Sequence, residues 1–189
     1  MNAKYTRFRE IPPFTKQSPY GVDVSWKYLE DHLQNYEHYG LDMCPDFQRG
    51  HVWDEERQIK YVEFALRGGL TGRNIYFNCP NFSMWTRRDA TYQGMKLVDG
   101  LQRITAARRF LNNEIPAFQT FYSEYEDSIG TMEPSFKIHV NDLKTRAEVL
   151  QWYLEMNDGG VVHAPEEIAR VRALLEKEKK RSKRIPENL

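Results

Sequence analysis

Cysteine is scarce: Cys44 and Cys79 are the two in 189 residues. Two cysteines in no metal-ligand spacing exclude a disulfide framework and a thiolate metal centre. They point to a reducing compartment, with no disulfide expected between them. Net charge is also missing, because 27 Lys+Arg balance 27 Asp+Glu. Overall charge therefore identifies no partner. No apolar run is long enough to cross a bilayer, and the polar N-terminus has no signal-peptide apolar region. The expected location is the cytoplasm of a cell or of an infected host. His51, His139 and His163 have no zinc-ligand spacing. No internal repeat is visible. A chain of this length is read as one domain with a real core.

Aromatics are plentiful, at 13% of the chain. Core packing is the simpler reading of them, and base stacking the alternative. Residues 1–24 hold Pro12, Pro13 and Pro19 without a clear period, and read as an extended N-terminal arm. Residues 25–176 read as the folded domain and 177–189 as a basic tail carrying Lys177, Lys179, Lys180, Arg181, Lys183 and Arg184. That tail is a solvated helix end or a contact for DNA phosphates.

Within the domain, Ser25 can cap a helix with Trp26, Leu29, Leu33 and Tyr36 on one face. Asp54 can cap a second with Ile59, Val62, Ala65 and Leu66 inward, ended by Gly68-Gly69. Strands are expected at 74–77, 96–99, 115–118 and 136–140. Thr145 and Glu148 form a capping box ahead of Val149, Trp152, Tyr153 and Met156. Pro165 with Glu166 and Glu167 opens a last helix. Few, scattered strands among helices give an α+β fold rather than a doubly wound sheet.

The most informative segment joins the strand ending at Asp99 to a helix that begins directly after Gly100. Gly100 allows a tight turn and leaves room for a ligand at the new helix N-terminus. Unpaired amides there attract an anion, and Arg103 in the first turn adds a forked, charged donor. Asp99 is placed to hold a metal ion or accept a proton. On spacing alone the turn reads equally as a structural one, with Asp99 as cap and Arg103 on the surface.

Asp99-Gly100-Leu101-Gln102-Arg103, with Thr105 in the following helix, resembles the Asp-Gly-Gln-Gln-Arg signature of a large prokaryotic and phage family. The GmrS half of the modification-dependent GmrSD restriction enzymes exemplifies it, within the ParB/sulfiredoxin superfamily. Phe47-Gln48-Arg49-Gly50-His51-Val52-Trp53 is similar to that family's Tyr-Gln-Arg-Gly-Tyr-Val-Trp block. Asn157-Asp158-Gly159-Gly160, with Glu166 or Glu167 after it, is similar to its Asn-x-Gly-Gly and acidic-helix block. The three blocks keep the family's order over roughly residues 40 to 175. Leu101 departs from the signature's first Gln, and His51 from its aromatic. No His-Asn-His grouping of the nuclease that many relatives carry is visible.

The resemblance implies a ParB/sulfiredoxin-like small mixed sheet with surrounding helices. It implies binding of a nucleoside triphosphate, ATP first, with Mg²⁺ held by Asp99. Gln48, Arg49, Gly100, Gln102, Arg103 and Thr105 would bind the nucleotide, with Asp99 and Arg103 catalytic. Phosphoryl transfer asks mainly for positioning, a divalent ion and charge neutralisation. Gln48-Arg49 could close over the triphosphate; a surface salt bridge is the plainer account of Arg49. Trp85, Arg87, Arg88 and Tyr92 suit a groove for single-stranded or flipped nucleotides, or a solvated loop. Three functions follow: a phage kinase phosphorylating 5-hydroxymethyluracil in DNA, a GmrS-like NTPase that senses modified DNA, and a ParB-like nuclease. The kinase leads because a small stand-alone NTPase without an effector accomplishes little. Partners are then a nucleotide and DNA, with no membrane.

Overall fold

In the computed structural model, residues 5–11, 15, 18, 20–48, 50, 52–80, 82, 93–158 and 165–182 are described. Among them, four strands and five α-helices make a mixed α+β fold. The strands are β1 (Tyr20–Ser25), β2 (Asn74–Asn78), β3 (Lys96–Asp99) and β4 (Ser135–Asn141). Their order across the sheet is β1-β4-β2-β3. β1 runs antiparallel to β4, β4 parallel to β2, and β2 antiparallel to β3.

Strand alternation sends successive side chains to opposite faces. Val24, Ile75, Phe77, Leu97, Phe136, Ile138 and Val140 build the main core on one face. Three helices cover it: α1 (Leu29–Glu37), α2 (Glu55–Leu66) and α3 (Leu101–Leu111). They contribute Leu29, Leu33 and Tyr36, then Val62, Ala65 and Leu66, then Ile104, Ala107 and Phe110. The other face meets α4 (Arg146–Asp158) and α5 (Pro165–Ser182) through a second cluster. That cluster joins Val98 and Phe47 to Val149, Trp152, Tyr153, Val171 and Leu175.

Local chemistry explains the helix starts. Asp54 accepts from the Arg57 amide at 2.8 Å, satisfying one orphan N–H of α2. Thr145 and Glu148 exchange reciprocal bonds at the start of α4, at 3.3 and 2.9 Å.

Two expectations change. Residues 20–24, read as the end of the arm, form most of β1; the nearby prolines obscured the alternation of Val22 and Val24. Residues 115–118 are no strand. Ala117 and Thr120 pair across a tight turn in which Phe118 and Gln119 have φ of 51° and 63°. Positive φ at both central residues belongs to a turn, and ordinary side chains reveal it poorly in sequence. The basic stretch from Lys177 is part of α5 through Ser182.

Candidate functional site

The site begins with an irregularity in the sheet. Tyr76 of β2 lies opposite Asp99, while Phe77 lies opposite Leu97, so Val98 is an extra residue in β3. Such a bulge re-aims the residues beside it. Val98 turns into the second cluster, and Asp99 is brought level with Tyr76. Gly100 follows as the N-cap of α3 with φ of 118° and no side-chain cap. A β-carbon here would come 2.5 Å from Ile75 Cδ1 and 3.4 Å from Ile75 Cα. Packing against β2 and left-handed backbone therefore demand this glycine. The space expected beside it for a ligand is filled by Ile75.

Arg103 turns back on its own loop. Its Nη2 donates to Asp99 Oδ2 at 2.5 Å, with side chains 20% and 40% exposed. The arginine's stem runs past Gly72, where a β-carbon would come within 3.8 Å of its Cδ. The Tyr61 hydroxyl donates to the Gly72 carbonyl at 2.9 Å. Burial pushes the Tyr61 hydroxyl above its usual range, and Arg103 and Arg73 pull it back. Burial also raises Tyr76, with Asp99 adding to the rise and Arg103 opposing it. Arg103 thus acts on both tyrosines, and Asp99 on Tyr76.

Gln102 is buried, and both the oxygen and the nitrogen of its amide are engaged by the loop. Oε1 accepts from the Val52 and Trp53 amides at 3.0 Å each, and Nε2 donates to the Gly50 carbonyl at 3.1 Å. In this arrangement it holds the 50–53 loop and presents no amide group to a phosphate. From the other side, Arg170 of α5 donates to the Asp46, Phe47 and Gln48 carbonyls at 2.8, 3.0 and 3.3 Å. Gln48 Nε2 reaches the Val98 carbonyl at 3.4 Å, and its Oε1 is buried with no partner among the described residues. The loop that carries Gln48 is thus fixed at both ends, by α3 and by α5.

Phe47 is fully buried and Trp53 packs against the main core, so neither offers a free ring for stacking. The Thr105 hydroxyl donates within α3 to the Leu101 carbonyl at 2.8 Å. Arg49, His51, Trp85, Arg87, Arg88 and Tyr92 lie outside the described residues. Asn157 donates to the Tyr153 carbonyl at 2.6 Å, and the buried Glu167 accepts from the Tyr153 hydroxyl at 2.6 Å. Gly159 and Gly160 are outside the description. The structure thus unites Asp99, Gly100, Gln102, Arg103 and Gln48 around one bend.

Arg170, Tyr76, Tyr61 and Gly72 belong to the same neighbourhood and were not visible as such in sequence. Arg170 lies among the surface charges of a helix, and the tyrosines arrive through sheet register and the α2–β2 connection. Among the described residues, no group of three His, Cys, Asp or Glu could hold a metal ion. A single carboxylate suits Mg²⁺ only where phosphate oxygens complete its shell, which is how that ion is commonly bound. No helix among the described residues is long and apolar enough to cross a membrane.

A β-bulge, a left-handed glycine and a first-turn arginine facing a carboxylate define a polar helix-start site on a mixed α+β sheet. Residues 29–142 match the N-terminal domain of the GmrSD restriction endonuclease, and the chain belongs to that family. No curated protein and no solved structure matches it.

Proposed function

We propose that this chain is the nucleotide-dependent, DNA-sensing module of a modification-dependent restriction system. It binds a nucleoside triphosphate, ATP first, with Mg²⁺ at the Asp99–Arg103 bend. The observation that carries the reading is the ion pair itself, set at an N-terminus of α3 that no side chain among the described residues caps. The pair is neutral as a unit, and so it can exchange partners without leaving a charge unpaired. Arg103 would transfer to phosphate oxygens, where charge-assisted forked bonds are strong. The α3 amides orient the same phosphates. Asp99 would hold the metal ion or take a proton from attacking water. Bound Mg²⁺ would supply neutralisation of phosphate charge. Gln102 and Arg170 are positioning residues that keep the Gln48 loop over this bend.

This reading includes the ParB/sulfiredoxin superfamily as the parent of the fold and DNA as the sensed partner. Family membership favours it over the kinase for 5-hydroxymethyluracil, which no structural observation supports. A ParB-like nuclease acting alone finds no support in the donor set around Asp99. The test incubates the protein with γ-labelled ATP, Mg²⁺ and DNA containing or lacking 5-hydroxymethyluracil. Free phosphate alone supports the NTPase. Label on the DNA would establish the kinase instead, and no turnover with no measurable ATP binding would remove both.

A further inference from the structure

A cavity of about 450 Å³ opens on the α4 side of the sheet, and Tyr76, the register partner of Asp99, is the lining residue that lies nearest the bend in the sheet. Thr15, Ser18, Tyr76, His139, Trp152, Glu155 and Met156 line it. Sheet register places it. His139 of β4 pairs with Tyr76 of β2, and Tyr76 pairs with Asp99 of β3, so the three side chains share one face in a transverse row. His139 and Asp99 are two inter-strand steps apart, about 10 Å. A ligand lying along this row would reach from the cavity to the Asp99–Arg103 pair.

The walls are flat and aromatic. The Tyr76 and His139 rings stack with centroids 4.9 Å apart and 16° between planes. Trp152 meets Tyr76 edge-on, at 6.0 Å and 88°. One carboxylate enters this surface. Glu155 Oε2 accepts from the Thr15 amide at 2.7 Å and Oε1 from the Gln151 amide group at 2.9 Å. Each oxygen keeps a further lone pair. Its orientation is thus fixed while its capacity to accept is not exhausted. Flat rings with one fixed acceptor suit a planar heterocycle that donates an N–H. The volume lies within the range of about 300–1,000 Å³ usual for small-molecule sites.

We propose that this cavity receives a nucleobase bearing an exocyclic amine, the base of the nucleotide whose phosphates reach Arg103. The base packs against the Tyr76–His139 stack and Trp152, and its amine donates to Glu155. Uracil has no exocyclic amine; its ring N3–H is flanked by two carbonyl oxygens that repel the carboxylate, so it is disfavoured. The inference rests on the polyphosphate reading of the bend, and the test separates the two.

The full chain is titrated calorimetrically with ATP, UTP and inorganic tripolyphosphate, each with Mg²⁺. ATP is expected to bind more tightly than UTP. His139→Ala is expected to weaken ATP about tenfold, the scale of one lost stacking partner, and to leave tripolyphosphate unchanged. Glu155→Gln should abolish the preference for ATP over UTP; thermal melts verify that both variants fold. Unchanged ATP affinity and selectivity in both variants, with binding lost in Arg103→Ala, would overturn the base site and leave the phosphate site standing. Unchanged affinities in Arg103→Ala would overturn the phosphate reading itself. If His139→Ala weakened only a single-stranded oligonucleotide, the cavity would serve a DNA base, and the assignment to the nucleotide would fall.

Discussion

Replacing Gln102 by alanine tests how the loop around residues 50–53 is held. The substitution deletes three hydrogen bonds, to the Val52 and Trp53 amides and the Gly50 carbonyl. At a net value of about 1 kcal/mol each, the upper figure is about 3 kcal/mol. The partners are part-buried, so water recovers some of it, and about 2 kcal/mol is expected. For a domain of this size that corresponds to a fall in Tm of about 4–8 °C. Gln102→Glu keeps the acceptor but sets a carboxylate against the Gly50 carbonyl, and should lose a comparable amount. Hydrogen exchange followed by NMR gives the local readout. The Val52 and Trp53 amides should lose protection while Ile104 and Ala107, inside α3, keep theirs. ATP affinity should fall as well, because the Gln48 loop loses its tie to α3. A Tm within about 1 °C of the parent and undiminished protection at residues 52 and 53 would mean that other contacts hold the loop.

Gly100→Ala forces a β-carbon onto Ile75 at a φ of 118° and should cost about 3 kcal/mol or more in a denaturant melt. Gly68→Ala, with φ of 82° and open space around it, should cost only about 1 kcal/mol. Asn78 is fully buried and bonds both the amide and the carbonyl of Leu143, at 2.9 and 3.1 Å. Asn78→Leu leaves both groups without their partner and should cost about 2–4 kcal/mol, read as a lower denaturation midpoint at unchanged m-value. Burial lowers the pKa of His32 and of His139, for which Lys137 adds to the lowering, below the ordinary 6.5. The unfolded chain then takes up protons first, so stability is complete above about pH 6.5 and declines as pH falls through that value. His139→Gln should flatten the decline of Tm between about pH 7 and 5.5.

Much of the fold was legible because local chemistry announces it. Asp54 and the Thr145–Glu148 box mark helix starts, and the Asp99–Gly100 step marks the strand-to-helix bend. β1 was hidden because its alternation is short and follows three prolines. The turn at 118–119 was hidden because Phe and Gln ordinarily avoid positive φ. Within the site, Asp99, Gly100 and Arg103 were recognisable, whereas their contacts were not. That Gln102 is spent on a loop, and that Ile75 fills the space beside Gly100, are facts of packing. The His139–Tyr76–Asp99 row exists only through the β4-β2-β3 part of the strand order, which joins residues far apart in the chain. No local pattern encodes a parallel β2–β4 pairing. Arg170 illustrates the same limit: its role comes from where α5 docks.

The most direct measurement is a crystal structure with a non-hydrolysable triphosphate and Mg²⁺. Phosphate oxygens are expected on Arg103 and on the first amides of α3, with the 2.5 Å contact between Arg103 and Asp99 broken. Triphosphate bound elsewhere on the molecule, with that contact intact, would contradict it.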